Sequence, residues 1–163
     1  PAFLKLRALG HDPPDAARGA VAALVARIKS VGAARVGFVL GNRATNEANW
    51  ALLQLARGAA KGAQVFFVAG NDHGDGKSDD ILQSADRNPN TAGAKLLAAH
   101  DGKVGDADAL RAALPELALL VVLEDDVVAR LDGVGTVSVA FLGAVRNRTA
   151  KQAAFVLPTA HAV

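Results

Sequence analysis

The sequence predicts a three-layer α/β domain of Rossmann-like type, a parallel sheet with helices on both faces, and three observations lead there. Short runs rich in valine, leucine and phenylalanine recur along the chain, apolar at nearly every position, as strands buried on both faces are. Segments of helical periodicity separate them. Strands joined through helices require right-handed crossovers and hence a parallel sheet.

The elements follow in order. Asp12-Pro13-Pro14-Asp15 is a turn, and Val21, Leu24, Val25 and Ile28 then fall at helical spacing, predicting a helix from about Pro14 to Lys29 with those residues as its apolar face. RVGFVLG, residues 35–41, is the first strand, closed by glycine. Thr45 supplies an N-cap hydroxyl and Glu47 a negative charge in the first turn of a second helix, which runs to about Ala60 through Trp50, Leu52, Leu53 and Leu55. A lone tryptophan on such a helix is expected to pack on the sheet.

QVFFVAG, residues 64–70, is a second strand, followed by a long loop. Asn88-Pro89-Asn90-Thr91 reads as a turn and helix cap, with a helix from Asn90 or Thr91 through Ala99. DADALRAAL, residues 106–114, is a further helix with aspartate in its first turn. ALLVVLE (118–124), TVSVAFLG (136–143) and AAFVLP (153–158) complete an expected set of five strands.

The chain has 163 residues, 51% of them hydrophobic and 21% charged, which suits one buried core and so a single domain over residues 1–163. It contains no cysteine, which excludes disulfides, thiolate zinc, iron–sulfur ligation and cysteine nucleophiles for these residues. Its most apolar stretch, Leu117 to Leu123, is far short of a membrane span, and PAFLKLRALG lacks the apolar core of a secretory signal. An intracellular chain without membrane insertion is the expectation. Net charge is +2, the basic residues are scattered and there is no tyrosine, so no nucleic-acid platform is expected. The sequence opens at Pro1 without a methionine, and a fragment of a longer polypeptide is expected.

Ligands of parallel sheets sit beyond the carboxyl ends of the strands. That directs attention to residues 42–46, 71–80, 124–127 and 143–149. NDHGDGKSDD, residues 71–80, imitates the start of a calcium loop, but it places His73 where the third ligand belongs and Leu82 where a bidentate glutamate belongs. His73 is not at zinc-ligand spacing to His11, His100 or His161. Paired carboxylates doing acid/base work need environments that separate their pKa values, and this stretch offers no apolar cover. A hydrated connection is the expected role.

The turn GNRATNE has one glycine where the dinucleotide fingerprint needs three, and no P-loop is present. Residues 71–80 carry four aspartates against one lysine, and Glu124-Asp125-Asp126 adds three more carboxylates. A phosphate there would meet repulsion of roughly 1 kcal/mol per close pair even when well screened. Arg43, Arg146 and Arg148 lie on the other two segments and are expected to neutralise these carboxylates, closing the cleft by ion pairs. No catalytic, cofactor-binding or metal residue is therefore assigned.

Taken in order, GNRATNEANWALLQLAR (41–57), DDILQSADRNPNTAGAKLL (79–97) and RTAKQAAFVLP (148–158) resemble the molybdopterin oxidoreductase superfamily, and the middle segment is similar to the version in the G subunit of NADH-quinone oxidoreductase, respiratory complex I. The resemblance spans Arg35 to Pro158. It implies the fold of formate dehydrogenase-type enzymes in a structural role, with electrons passing from NADH to quinone through iron–sulfur clusters elsewhere in the subunit. It also implies contacts with other regions of the same subunit and with other peripheral-arm subunits, at the cytoplasmic face of the inner membrane. The family pattern continues beyond LPTAHAV.

The departures from that pattern are concentrated where a guanine dinucleotide would be held. Glu124-Asp125-Asp126 stands for a Gly-x-Asn turn, Gly143 for an aspartate, Arg148-Thr149-Ala150 for Glu-Thr-Ala, and Ala153-Ala154 for Ala-Asp. The resemblance therefore implies no cofactor in this chain. The alternative it leaves is a pterin guanine dinucleotide-binding domain of a molybdenum or tungsten enzyme, with phosphate contacts from the backbone of residues 42–46 and Thr149.

Overall fold

The computed structural model describes residues 13–70, 77–79, 81 and 84–159. Among the described residues six α-helices alternate with strands: α1 (Pro13–Val31), α2 (Asn46–Arg57), α3 (Thr91–Asp101), α4 (Ala107–Ala113), α5 (Val127–Arg130) and α6 (Arg148–Gln152). The strands are β1 (Val36–Leu40), β2 (Gln64–Phe67), β3 (Val104–Gly105), β4 (Leu119–Leu123), β5 (Ser138–Leu142) and β6 (Phe155–Leu157). All pair in parallel in one sheet of order β3-β2-β1-β4-β5-β6. This is the doubly wound order, and it reverses direction between β1 and β4.

The predicted α/β class is correct, and the five expected strands are present, four of them within two residues at each end and β2 stopping three residues earlier, at Phe67. The sixth, β3, is a two-residue pairing of Val104 and Gly105 with β2, too short to give a periodic signal. The four-residue α5 and five-residue α6 were not foreseen for the same reason.

The alternation of side chains along the strands divides the core in two. Phe38 and Leu40 of β1, with Leu119 and Val121 of β4, meet Leu52, Leu53 and Ala56 of α2 on one face. Val39, Leu120, Val122 and Phe141 face the other way, onto Leu110 of α4 and Val127 of α5. β1 and β4 are buried at every position, which is why they read as continuous apolar runs. Each large side chain fully buried here stabilises the fold by about 1.5–3 kcal/mol.

Two packing expectations are corrected. α1 turns Ala20, Leu24 and Ile28 inward, a stripe with spacing of four, and leaves Val21 and Val25 exposed. The small Ala20 marks the true face, and a reading weighted to larger side chains rotates the helix by about one residue. Trp50 does not pack on the sheet: it stays 43% exposed and lies across α2 and α3 from His100, with ring centroids 6.4 Å apart. Leu55 is likewise on the outer side of α2, whose inward stripe is Asn49, Leu52, Leu53 and Ala56.

Caps follow the sequence closely. Thr45 accepts a hydrogen bond from the Ala48 amide and Asp106 from the Ala109 amide. Asn90 precedes α3 as expected but caps nothing with its side chain; it donates instead to Ala44 O and Asn46 Oδ1. α3 ends at Gly102, which adopts φ 69°, the left-handed conformation suited to glycine. Among the described residues no helix is long and apolar enough to cross a membrane.

Candidate functional site: the crevice at the carboxyl ends of β1 and β4

The sheet reverses direction between β1 and β4, so their crossover helices leave toward opposite faces and a crevice opens at their carboxyl ends. Two adjoining cavities occupy it. One, of about 550 Å³, lies between the start of α2 and Glu124, with Pro89, Asn90, Val145 and Thr159 on its walls. The other, of about 390 Å³, lies between Asp126, Arg130 and the start of α6. Arg43, Glu124 and Val145 border both.

The floor is a network of buried side-chain hydrogen bonds. Gly41 ends β1 so close to β4 that a Cβ on it would stand 2.1 Å from the Leu123 carbonyl oxygen. Asn49, fully buried on α2, receives the Gly41 amide on its Oδ1 at 2.8 Å and donates through Nδ2 to the Gly41 carbonyl at 3.0 Å. Asn42, also fully buried, donates to Val68 O at 3.0 Å and to Asp125 Oδ2 at 2.9 Å, and accepts from the Thr91 hydroxyl. The ends of β1, β2 and β4 and the start of α3 are thus tied by one carboxamide.

Asp125 points inward, not toward the crevice. It has no exposed surface, and its Oδ1 pairs with the Arg130 guanidinium. Arg130 also reaches the Gly70 carbonyl, which receives the Asn88 carboxamide as well. The Asn147 carboxamide donates to the Asp125 carbonyl.

The flanking carboxylates are held by backbone donors. Asp126 accepts the Thr149 amide at 2.8 Å, the Thr149 hydroxyl at 2.9 Å and the Arg148 amide at 3.3 Å. Asn147 Oδ1 takes the next amide, that of Ala150, at 2.8 Å. The leading N–H groups of α6, the donors a phosphate would use, are therefore occupied by the chain itself. Glu124 accepts from the Ala144 amide at 2.9 Å and from the Thr159 hydroxyl. It is the one non-glycine among the described residues at positive φ, 45°. This turn is the one read in sequence as replacing Gly-x-Asn, and it keeps a glycine-like backbone with a side chain that lies across the crevice.

At the other wall the α2 start is similarly committed. Thr45 takes the Ala48 amide, and the Glu47 carboxyl is held below the usual carboxylate range by its own backbone amide and then by the Thr45 hydroxyl. An anion placed there would face an ionised glutamate.

The expected neutralisation of Glu124–Asp126 is corrected for Arg146 and Arg148, whose side chains pair with none of these carboxylates. Arg130 pairs with Asp125, and Arg148 serves Asp126 through its backbone amide while its guanidinium is exposed. The sequence reading missed Arg130, Asn49 and Asn147; the last two carried a signal, as asparagines just outside or just inside a helix start. The acidic stretch 71–80 falls mostly outside the described residues; Lys77 and Asp79 are exposed. Among the described residues no cluster of three or more metal-ligating side chains occurs. No protein-family model, curated protein or solved structure matches this chain.

Proposed function

We propose that this chain is a structural, cofactor-free domain of the molybdopterin-oxidoreductase type, of the kind found in the G subunit of NADH-quinone oxidoreductase. In that role it braces a subunit whose iron–sulfur clusters, bound elsewhere in the same polypeptide, pass electrons from NADH toward quinone. Its contacts are with other parts of that subunit and with neighbouring peripheral-arm subunits, at the cytoplasmic face of the membrane.

One observation carries this reading. Of the two places where the alternative would seat a phosphate, residues 42–46 and Thr149, the amides that open α6 are taken by Asp126 and Asn147, and at the start of α2 Thr45 takes the Ala48 amide. A phosphate would have to displace a carboxylate from three hydrogen bonds and then lie beside it. The fit of a pterin dinucleotide to these residues is poor, and no reaction step is assigned to one.

The test is metal and pterin analysis of the full-length protein that carries this chain. Iron bound to an upstream cysteine-rich region, with molybdenum, tungsten and fluorescent pterin oxidation products all far below stoichiometry, is the expected result. Stoichiometric molybdenum or tungsten with an extractable pterin would replace this reading with a dinucleotide-binding domain of a formate dehydrogenase-like enzyme.

A further inference from the structure

The cavity beside α6 has an electrostatic character that the acidic sequence around it conceals. Arg43, Arg130, Arg146, Arg148 and Lys151 line it, against the carboxylates of Glu124 and Asp126. Arg130 is engaged by the buried Asp125, and Arg146, Arg148 and Lys151 stand beside the two carboxylates. Both of those carboxylates already accept hydrogen bonds from backbone amides and hydroxyls. Arg146, Arg148 and Lys151 are exposed, and among the described residues none of them pairs with a carboxylate.

We infer that this cleft is a docking surface for a carboxylate-rich segment of a partner subunit. The inference rests on the scaffold reading above and names the kind of partner the scaffold holds. A small phosphate ligand is disfavoured because the amide donors at the start of α6 are spent, so only side-chain cations remain, spread over Arg146 on the preceding loop and Arg148 and Lys151 on α6. Dispersed guanidinium groups match the spacing of several acidic side chains better than one tetrahedral anion, and each fork can take a carboxylate through two hydrogen bonds. Val145, 41% exposed between the two cavities, adds an apolar contact at the centre of the charged rim.

The experiment measures fluorescence anisotropy of a labelled ten-residue glutamate peptide with the full 163-residue chain, at several salt concentrations, with inorganic pyrophosphate as competitor. Binding is expected to weaken steeply with salt and to fall at least tenfold in Arg146→Glu/Arg148→Glu and in Arg148→Glu/Lys151→Glu. Arg27→Glu/Lys29→Glu, on the exposed side of α1, is expected to bind as the unaltered chain does. Thermal melts establish that the variants fold; the altered side chains are exposed and Arg148 serves Asp126 by its backbone. Equal loss from the α1 control, or no loss from the α6 variants, overturns the assignment. So does displacement of the peptide by pyrophosphate at lower concentration than by unlabelled peptide, which would make the cleft a phosphate site. Failure of peptide binding leaves the scaffold reading intact, because that is decided by the pterin and metal content of the parent protein.

Discussion

The Asn49 carboxamide pairs with both backbone groups of Gly41, taking its N–H and supplying its C=O with a donor, as a neighbouring strand would. The end of β1 is thereby closed off where the sheet itself has no more partners to give. Asn49→Ala leaves two buried peptide groups unpaired, at about 1–3 kcal/mol each. A loss of about 3 kcal/mol is expected in urea denaturation, and Asn49→Leu, which restores volume but no hydrogen bonds, is expected to do no better.

The Asp125–Arg130 pair calls for a two-variant comparison. Removing Arg130 strands a carboxylate that has no exposed surface, and broken buried pairs cost about 3–5 kcal/mol. Arg130→Met alone is therefore expected to destabilise more than Asp125→Asn/Arg130→Met, in which the charge is gone while an acceptor for Asn42 is kept. If the double variant were the less stable of the two, the charge would not be the source of the cost.

Glu124 separates backbone strain from side-chain function. Its positive φ costs about 1 kcal/mol relative to glycine, while its carboxylate serves Ala144 and Thr159. Glu124→Ala keeps the strain and loses the acceptor, so about 1 kcal/mol of destabilisation is expected. Glu124→Gly loses the same acceptor but relieves the backbone, and its midpoint of unfolding is expected to fall close to that of the unaltered chain.

A pH dependence attaches to Asp101, whose carboxyl receives Arg57 Nε at 3.0 Å and Nη2 at 2.5 Å. The guanidinium holds Asp101 below its ordinary range, chiefly by hydrogen bonding. A carboxyl depressed in the folded state contributes stability that is present above its unfolded value, about 3.9, and is lost as pH falls through the folded one. Arg57→Gln is expected to lower stability by about 1 kcal/mol near pH 6. The gap between the two proteins is expected to narrow as thermal melts are taken below about pH 4; a gap constant with pH would dissociate Asp101 from it.

Much of this was legible without coordinates. The order of strands and helices, the parallel sheet and the cap at Thr45 follow from periodicity and from single polar residues beside it, because these are local effects. The parallel-sheet reading likewise directed attention to four segments at the carboxyl ends of strands, and only the strand order singled out those after β1 and β4. Tertiary structure decided which way the charges face. Three consecutive acids look like a repulsive rim when read as a string, yet the positive φ of Glu124 swings the chain so that Asp125 enters the core to meet Arg130 and Asp126 turns onto the start of α6. The cavity beside α6 is lined by more cations than carboxylates, which the run of three acids does not suggest. A charge's effect depends on the direction of its side chain and on its dielectric surroundings, and neither is written in the order of the residues.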